Sequence, residues 1–175
     1  MKKQTLMAFT LAATTLIGTS AFAADGTINF TGEIKNATCT VSTSAGGSET
    51  LPPVSKAYLE ALADGPAKDF DITLGGTNCS GGEVEVSFEQ DPANIDLTTG
   101  LLVNKDATTG ASVGVELLEA DGTPILLNDP AYKTTAVPLN SGSATIPLKV
   151  RYKAKGAAVE AGPVTASVGV WVHVN

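Results

Sequence analysis

The chain has 175 residues, 43% of them hydrophobic and 17% charged, which is too apolar for a disordered protein and short enough for one domain. Eighteen acidic residues against eleven basic ones leave a net charge of −7, and a surface of that sign repels phosphate backbones, which argues against a nucleic-acid partner. A single His and two Cys give little material for a metal centre or a catalytic dyad.

In chain order, Lys2 and Lys3 form a basic start, and an apolar stretch runs from Leu6 to about Ile17. Ala21-Phe22-Ala23 then places small residues where a signal peptidase reads them. This is the layout of a secretory signal peptide, residues 1–23, cleaved after Ala23. The apolar stretch is shorter than the ~20 residues that span a bilayer. Without Lys2 and Lys3 the remaining residues, 24–175, carry a net charge of roughly −9. Export also changes how Cys39 and Cys79 read, because an oxidising compartment joins such a pair. The alternatives are two free thiols or half of a metal site. A closed loop of about 40 residues corresponds to a chain-entropy stabilisation of roughly 4 kcal/mol.

From residue 27 onward the pattern is strands. Ile28, Phe30, Gly32 and Ile34 alternate with Thr27, Asn29, Thr31, Glu33 and Lys35. This strand begins within four residues of the expected cleavage site. It can pair within its own domain or leave it and add to another chain, and periodicity does not choose between the two. Residues 56–63 are the one helical candidate, stopped by Gly65-Pro66. Four strands follow, with Phe70, Ile72 and Leu74, then Val84, Val86 and Phe88, then Val113, Val115 and Leu117, then Ile146, Leu148, Val150 and Tyr152 on their apolar faces. Each is expected to show one face to a core and one to water. Gly75-Gly76, Gly81-Gly82, Thr99-Gly100, Thr109-Gly110, Asp121-Gly122 and Asn140-Ser141-Gly142 mark the turns between. Residues 154–163, rich in Ala and Gly, read as a loop. The last strand alternates without a break: Val164, Ala166, Val168, Val170, Val172 and Val174 against Thr165, Ser167, Gly169, Trp171, His173 and Asn175. The pattern is that of an all-β, immunoglobulin-like sandwich without that fold's Cys…Trp…Cys spacing.

The chemistry of enzymes is absent from this pattern. His173 lies on the polar parity of the last strand, and no Gly-x-Ser-x-Gly accompanies the many hydroxyls. Glu83 with Glu85, and Asp69 with Asp71, read as solvated strand faces rather than a glycosidase pair. No catalysis, metal or small-molecule cofactor is expected.

The residues resemble those of a known family, the pilin subunits of chaperone–usher fimbriae in Gram-negative bacteria, of the type 1 kind. The resemblance is carried by Phe30-Thr31-Gly32 with Cys39 shortly after, and by Phe70 to Leu74 followed by Cys79. It continues through Val113-Gly114-Val115 with the Asp121-Gly122 turn, and through Ile146 to Tyr152 with Gly162-Pro163 beyond. It implies an incomplete immunoglobulin-like sandwich, residues 36–175, that lacks its last strand and exposes its core in a groove. It also implies an N-terminal donor-strand extension, residues 24–35, that fills the groove of a neighbouring subunit by donor-strand exchange. The expected donor residues are Ile28, Phe30 and Ile34 with Gly32 as the small one, and the expected acceptor edge is Val168, Val170, Val172 and Val174. The partners implied are related pilin subunits, a periplasmic chaperone and an outer-membrane usher, and the destination is an adhesive fibre on the cell surface. Relatives commonly carry an aromatic residue where this chain has Val174. The competing reading is a monomeric secreted module that binds a glycan or host surface through its loops.

Overall fold

The computed structural model describes residues 39–43 and 46–175, within one compact unit, Lys35–Asn175. The expected signal peptide and the strand carrying Ile28 to Ile34 lie outside the described residues. Among the described residues there are ten elements: β1 (Thr40–Thr43), α1 (Lys56–Leu62), β2 (Lys68–Gly75), β3 (Glu83–Phe88), β4 (Ile95–Asp96), β5 (Leu101–Leu102), β6 (Val113–Glu119), β7 (Val137–Pro138), β8 (Ser143–Ala154) and β9 (Val170–Val174). They form a six-stranded sheet in the order β1-β2-β8-β6-β5-β4 and a three-stranded sheet in the order β7-β3-β9. Every strand pair among the described residues is antiparallel.

The two sheets share one core, because alternating strands turn the same parity inward. Ile72, Leu74, Ile146, Leu148, Val150, Val115 and Leu117 of the larger sheet meet Val84, Val86 and Phe88 of the smaller. The β2–β8 register brings Ile72 opposite Ile146 and Phe70 opposite Leu148, so the apolar parities coincide along the whole pair. The turns fall where glycine allows them. Gly100, Gly122 and Gly142 take φ of 73°, 93° and 78°, left-handed conformations that a Cβ opposes. Helix α1 starts at Ser55, whose hydroxyl accepts the Tyr58 N–H at 3.2 Å. It buries Leu59 against Val113 and Val159, a small second cluster.

Cys39 and Cys79 form a disulfide, as expected. It fastens the residue before β1 to the loop after β2, so the edge strand of the larger sheet is tied covalently to its neighbour. Changing Cys39 to Ser is expected to destabilise the domain by about 2–5 kcal/mol, with a lower yield of folded protein. An unchanged yield with both thiols free in the unmodified protein would remove this role.

Two expectations need correcting. β6 is not half-exposed: all its residues but Glu119 are buried. Leu101 covers Gly114, where a Cβ would come within 3.2 Å of the leucine Cβ, and Arg151 covers Glu116 through contacts at 2.5 and 2.6 Å. A charged residue on the solvent parity is thus buried by its ion pair, which strand alternation does not reveal. The final strand is also shorter than its alternation. The ladder begins only at Val170, because β3 ends at Phe88 and, beyond one bond from Glu89 to Gly169, offers residues 164–168 no ladder. Their side chains nonetheless keep the alternation, with Val164, Ala166 and Val168 half-buried and Thr165 and Ser167 exposed.

Candidate functional site

Among the described residues the sandwich is open along one seam. β1 ends the larger sheet on one side, and β9 ends the smaller on the same side of the core. Between β1 and residues 164–170 runs a groove of about 510 Å³. Its floor is core: Ile72, Phe88, Leu102, Val115, Leu117 and Val150 all line it. Apolar side chains that a closed sandwich would cover with a further strand are left accessible here. Residues 47–51 form one rim beyond β1.

Of the four expected acceptor residues, Val168 and Val170 line the groove. Val172 and Val174 pack against the core further along β9. Val164 and Ala166 extend the lining in the other direction, on the same parity. The inward face of the open edge therefore reads Val164, Ala166, Val168 and Val170.

The backbone of this edge is committed on one side only. The Glu89 N–H donates to the Gly169 carbonyl at 2.9 Å, and at the far end Asn175 exchanges bonds with Glu83. Alternation of bonded and non-bonded pairs in an antiparallel ladder then turns the odd-numbered residues toward β3. The Lys105 N–H likewise donates to the Thr165 carbonyl at 2.8 Å. Ala166 and Val168 have no backbone partner among the described residues, and their N–H and C=O groups point to the opposite, open edge. An unpaired row of this kind is a template for another strand.

What holds residues 164–169 extended without a full ladder is a polar clamp. Asn104 Nδ2 donates to Thr109 Oγ1 at 2.7 Å, and its Oδ1 accepts the Thr165 N–H at 3.0 Å. The Thr109 hydroxyl donates to the Pro163 carbonyl. Asn104 and Thr109 are both buried, so each of these bonds replaces one to water. The turn that presents Thr109 is itself held by Asp106, whose carboxylate accepts the N–H groups of Thr109 and Thr108 at 2.9 Å. Those bonds hold Asp106 below its ordinary value of 3.8. Its stabilising contribution is complete above that value and is lost as the pH falls through the lowered one. Replacing Asn104 with Leu is expected to cost about 1–3 kcal/mol by stranding the Thr165 N–H and depriving the Thr109 hydroxyl oxygen of its donor. Denaturant unfolding of the purified protein checks this.

A second cavity of about 270 Å³ lies beyond the clamp, between α1 and residues 159–164, and shares Leu51, Tyr152 and Val164 with the groove. Burial raises the pKa of Tyr152, so this phenol stays neutral. Neither this cavity nor the rim at 47–51 was legible in the sequence, since both are built from loop residues without periodicity. Among the described residues no group of acidic, His or Cys side chains could hold a metal ion. His173, the only imidazole, contacts Ser87 Oγ through Nε2 at 2.8 Å on the outer sheet face, away from the groove.

Residues 28–175 match the family profile described as "Fimbrial protein". The chain belongs to that family. It is 34% identical over 169 residues to the major fimbrial subunit SMF-1 of Stenotrophomonas maltophilia, covering 89% of this chain and 96% of that one. It is 32% identical over 169 residues to the type-1 fimbrial protein A chain of Escherichia coli, covering 90% and 91%. Among solved structures it resembles a subunit of a chaperone–usher pilus, with a TM-score of 0.56, 22% identity and coverage of 90% and 100%. The P pilus rod subunit PapA gives 0.54 at 20% identity, with coverage of 78% and 99%. These likenesses establish the fold as that of pilus subunits, an immunoglobulin-like sandwich with an open seam. Membership makes the chain a structural fimbrial subunit and not an enzyme, in keeping with the sequence reading.

Proposed function

We propose that the subunit polymerises by donor-strand exchange, each copy filling the groove of the one before it with its own residues 24–35. The observation that carries this is the groove itself: an apolar floor of core residues, flanked by an edge whose backbone is committed on one side only. Ile28, Phe30 and Ile34 are the donor's apolar parity, and Gly32 is its small member. Burying three large side chains contributes on the order of 5–9 kcal/mol. The new ladder and the covered groove lining add to that, while association and ordering subtract. A strand embedded in a completed core leaves slowly, so the fibre is held kinetically. An open core is also an aggregation hazard. Passage through the periplasm therefore calls for a chaperone strand in the groove, exchanged at an outer-membrane usher as the surface fibre grows.

The direct test mixes a domain of residues 36–175 with a synthetic peptide of residues 24–35 and follows the thermal midpoint. A large, slowly developing rise that disappears when Gly32 of the peptide is Asn is the expected result. No shift, with a domain already stable and monomeric, would favour a self-contained secreted binding module instead.

A further inference from the structure

Trp171 is the one tryptophan of the chain, and it is 60% exposed. It sits on the outer face of β9, opposite Ser87 of β3 and beside the open edge. Its neighbours on that face leave it alone there. His173 is drawn diagonally across β3 to Ser87, and Gly169 has no side chain, its place taken by the Glu89 carboxylate. A large aromatic surface is thus left uncovered on the side where the described residues provide no further strand.

We propose that Trp171 is a register-setting contact that grips the outer face of the incoming strand at Thr27. The inference rests on donor-strand exchange and specifies its alignment. Four inward residues line the open edge, Val164, Ala166, Val168 and Val170. The donor segment offers four on one parity, Ile34, Gly32, Phe30 and Ile28. An added strand runs antiparallel, as every strand pair among the described residues does, and antiparallel pairing is the more stable kind. Matching four to four sets Ile34 beside Val164, Gly32 beside Ala166, Phe30 beside Val168 and Ile28 beside Val170. Thr27 then lies opposite Trp171. Even-numbered residues of the edge turn their backbone groups outward, so they form the hydrogen-bonded pairs. Thr27 and Trp171 form a non-hydrogen-bonded pair, where facing side chains come closest. A β-branched residue against an aromatic one is a favourable cross-strand pair. The same alignment sets Ala24, the expected first residue after cleavage, opposite Val174 at the end of β9.

A slip by two residues keeps every parity and all but the terminal backbone bonds, so within the groove it is opposed mainly by the tight fit of Gly32 beside Ala166. The outer contact adds a second discrimination at the other end of the strand.

The test uses the full chain assembled into fibres. In unmodified fibres the fluorescence of Trp171, the single tryptophan, is expected to be quenched by acrylamide several-fold less than in the unassembled subunit. Equal quenching would overturn the contact. Three double variants that keep Thr27 and Trp171, T31C/S167C, N29C/S167C and E33C/S167C, are oxidised as fibres with copper phenanthroline and run on denaturing gels without reductant. The alignment sets Thr31 opposite Ser167, so a ladder of covalent multimers from T31C/S167C, several-fold above the other two, is expected. A stronger ladder from either of the others would overturn the register while leaving donor-strand exchange standing. Absence of fibres from the unmodified chain would overturn both.

Discussion

Replacing Gly32 with Asn is expected to stop fibre growth while leaving the subunit folded. On the proposed assignment Gly32 belongs to the donor segment and not to the sandwich, so the change spares the core of its own copy. In the neighbour's groove it would face Ala166, between Phe30 and Ile34. Adding a side chain there overfills a close-packed site by about 1–3 kcal/mol. An amide without partners in apolar surroundings costs about 1–3 kcal/mol more. Together these weaken docking by tens to tens of thousands of fold, since each ~1.4 kcal/mol is a factor of ten. Electron microscopy of the cells would show few or no fibres. The purified subunit, held by a strand donor, would keep its thermal midpoint. Adding Ala166→Gly should recover part of the assembly by returning space at the facing position. Fibres of normal length from the single variant would mean that Gly32 does not occupy a tight pocket.

Most of the sandwich was legible in the sequence because its long strands are half-buried, and burial on one face writes a period of two. Phe70 to Leu74, Val84 to Phe88 and Ile146 to Tyr152 all lie where their alternation put them. The turns were legible for a similar reason, since Gly100, Gly122 and Gly142 are held in conformations that other residues resist. The short strands β4, β5 and β7, two residues each, are below the length at which any period is visible. Ile95, Leu101 and Leu102 are buried nonetheless, by contacts distant in sequence. Val159 is a similar case: in a segment that reads as an Ala/Gly-rich loop, it is buried against Leu59 and Val113. The site was half-legible. Alternation over residues 164–174 marked the edge and its inward face. Where the groove opens depends on where β3 ends and on the Asn104 clamp, and neither leaves a pattern at residues 164–170.

Moving residues 24–35 from the front of the chain to a position after Asn175 tests the geometry with the largest expected gain in stability. In the antiparallel alignment Ala24 lies beside Val174, so a turn of about four residues joins the two as a hairpin. The transplanted strand then fills the chain's own groove, and the ends that the fibre would join are both gone. The expected product is a monomer that forms no fibres and no longer needs a chaperone strand. The donor's apolar residues are now buried without an association cost. A net surplus of even ~3 kcal/mol lifts the midpoint by roughly 6–12 °C in a domain of this size. Linker length discriminates between directions. A parallel strand would require the connection to run back along about eleven residues, roughly 35 Å at 3.3 Å each. That takes ten or more linker residues. A stable monomer with a linker of four therefore requires the antiparallel arrangement. A chain that stays unstable or aggregates with four residues but is rescued by twelve would reverse it, and with it the pairing of Thr27 with Trp171.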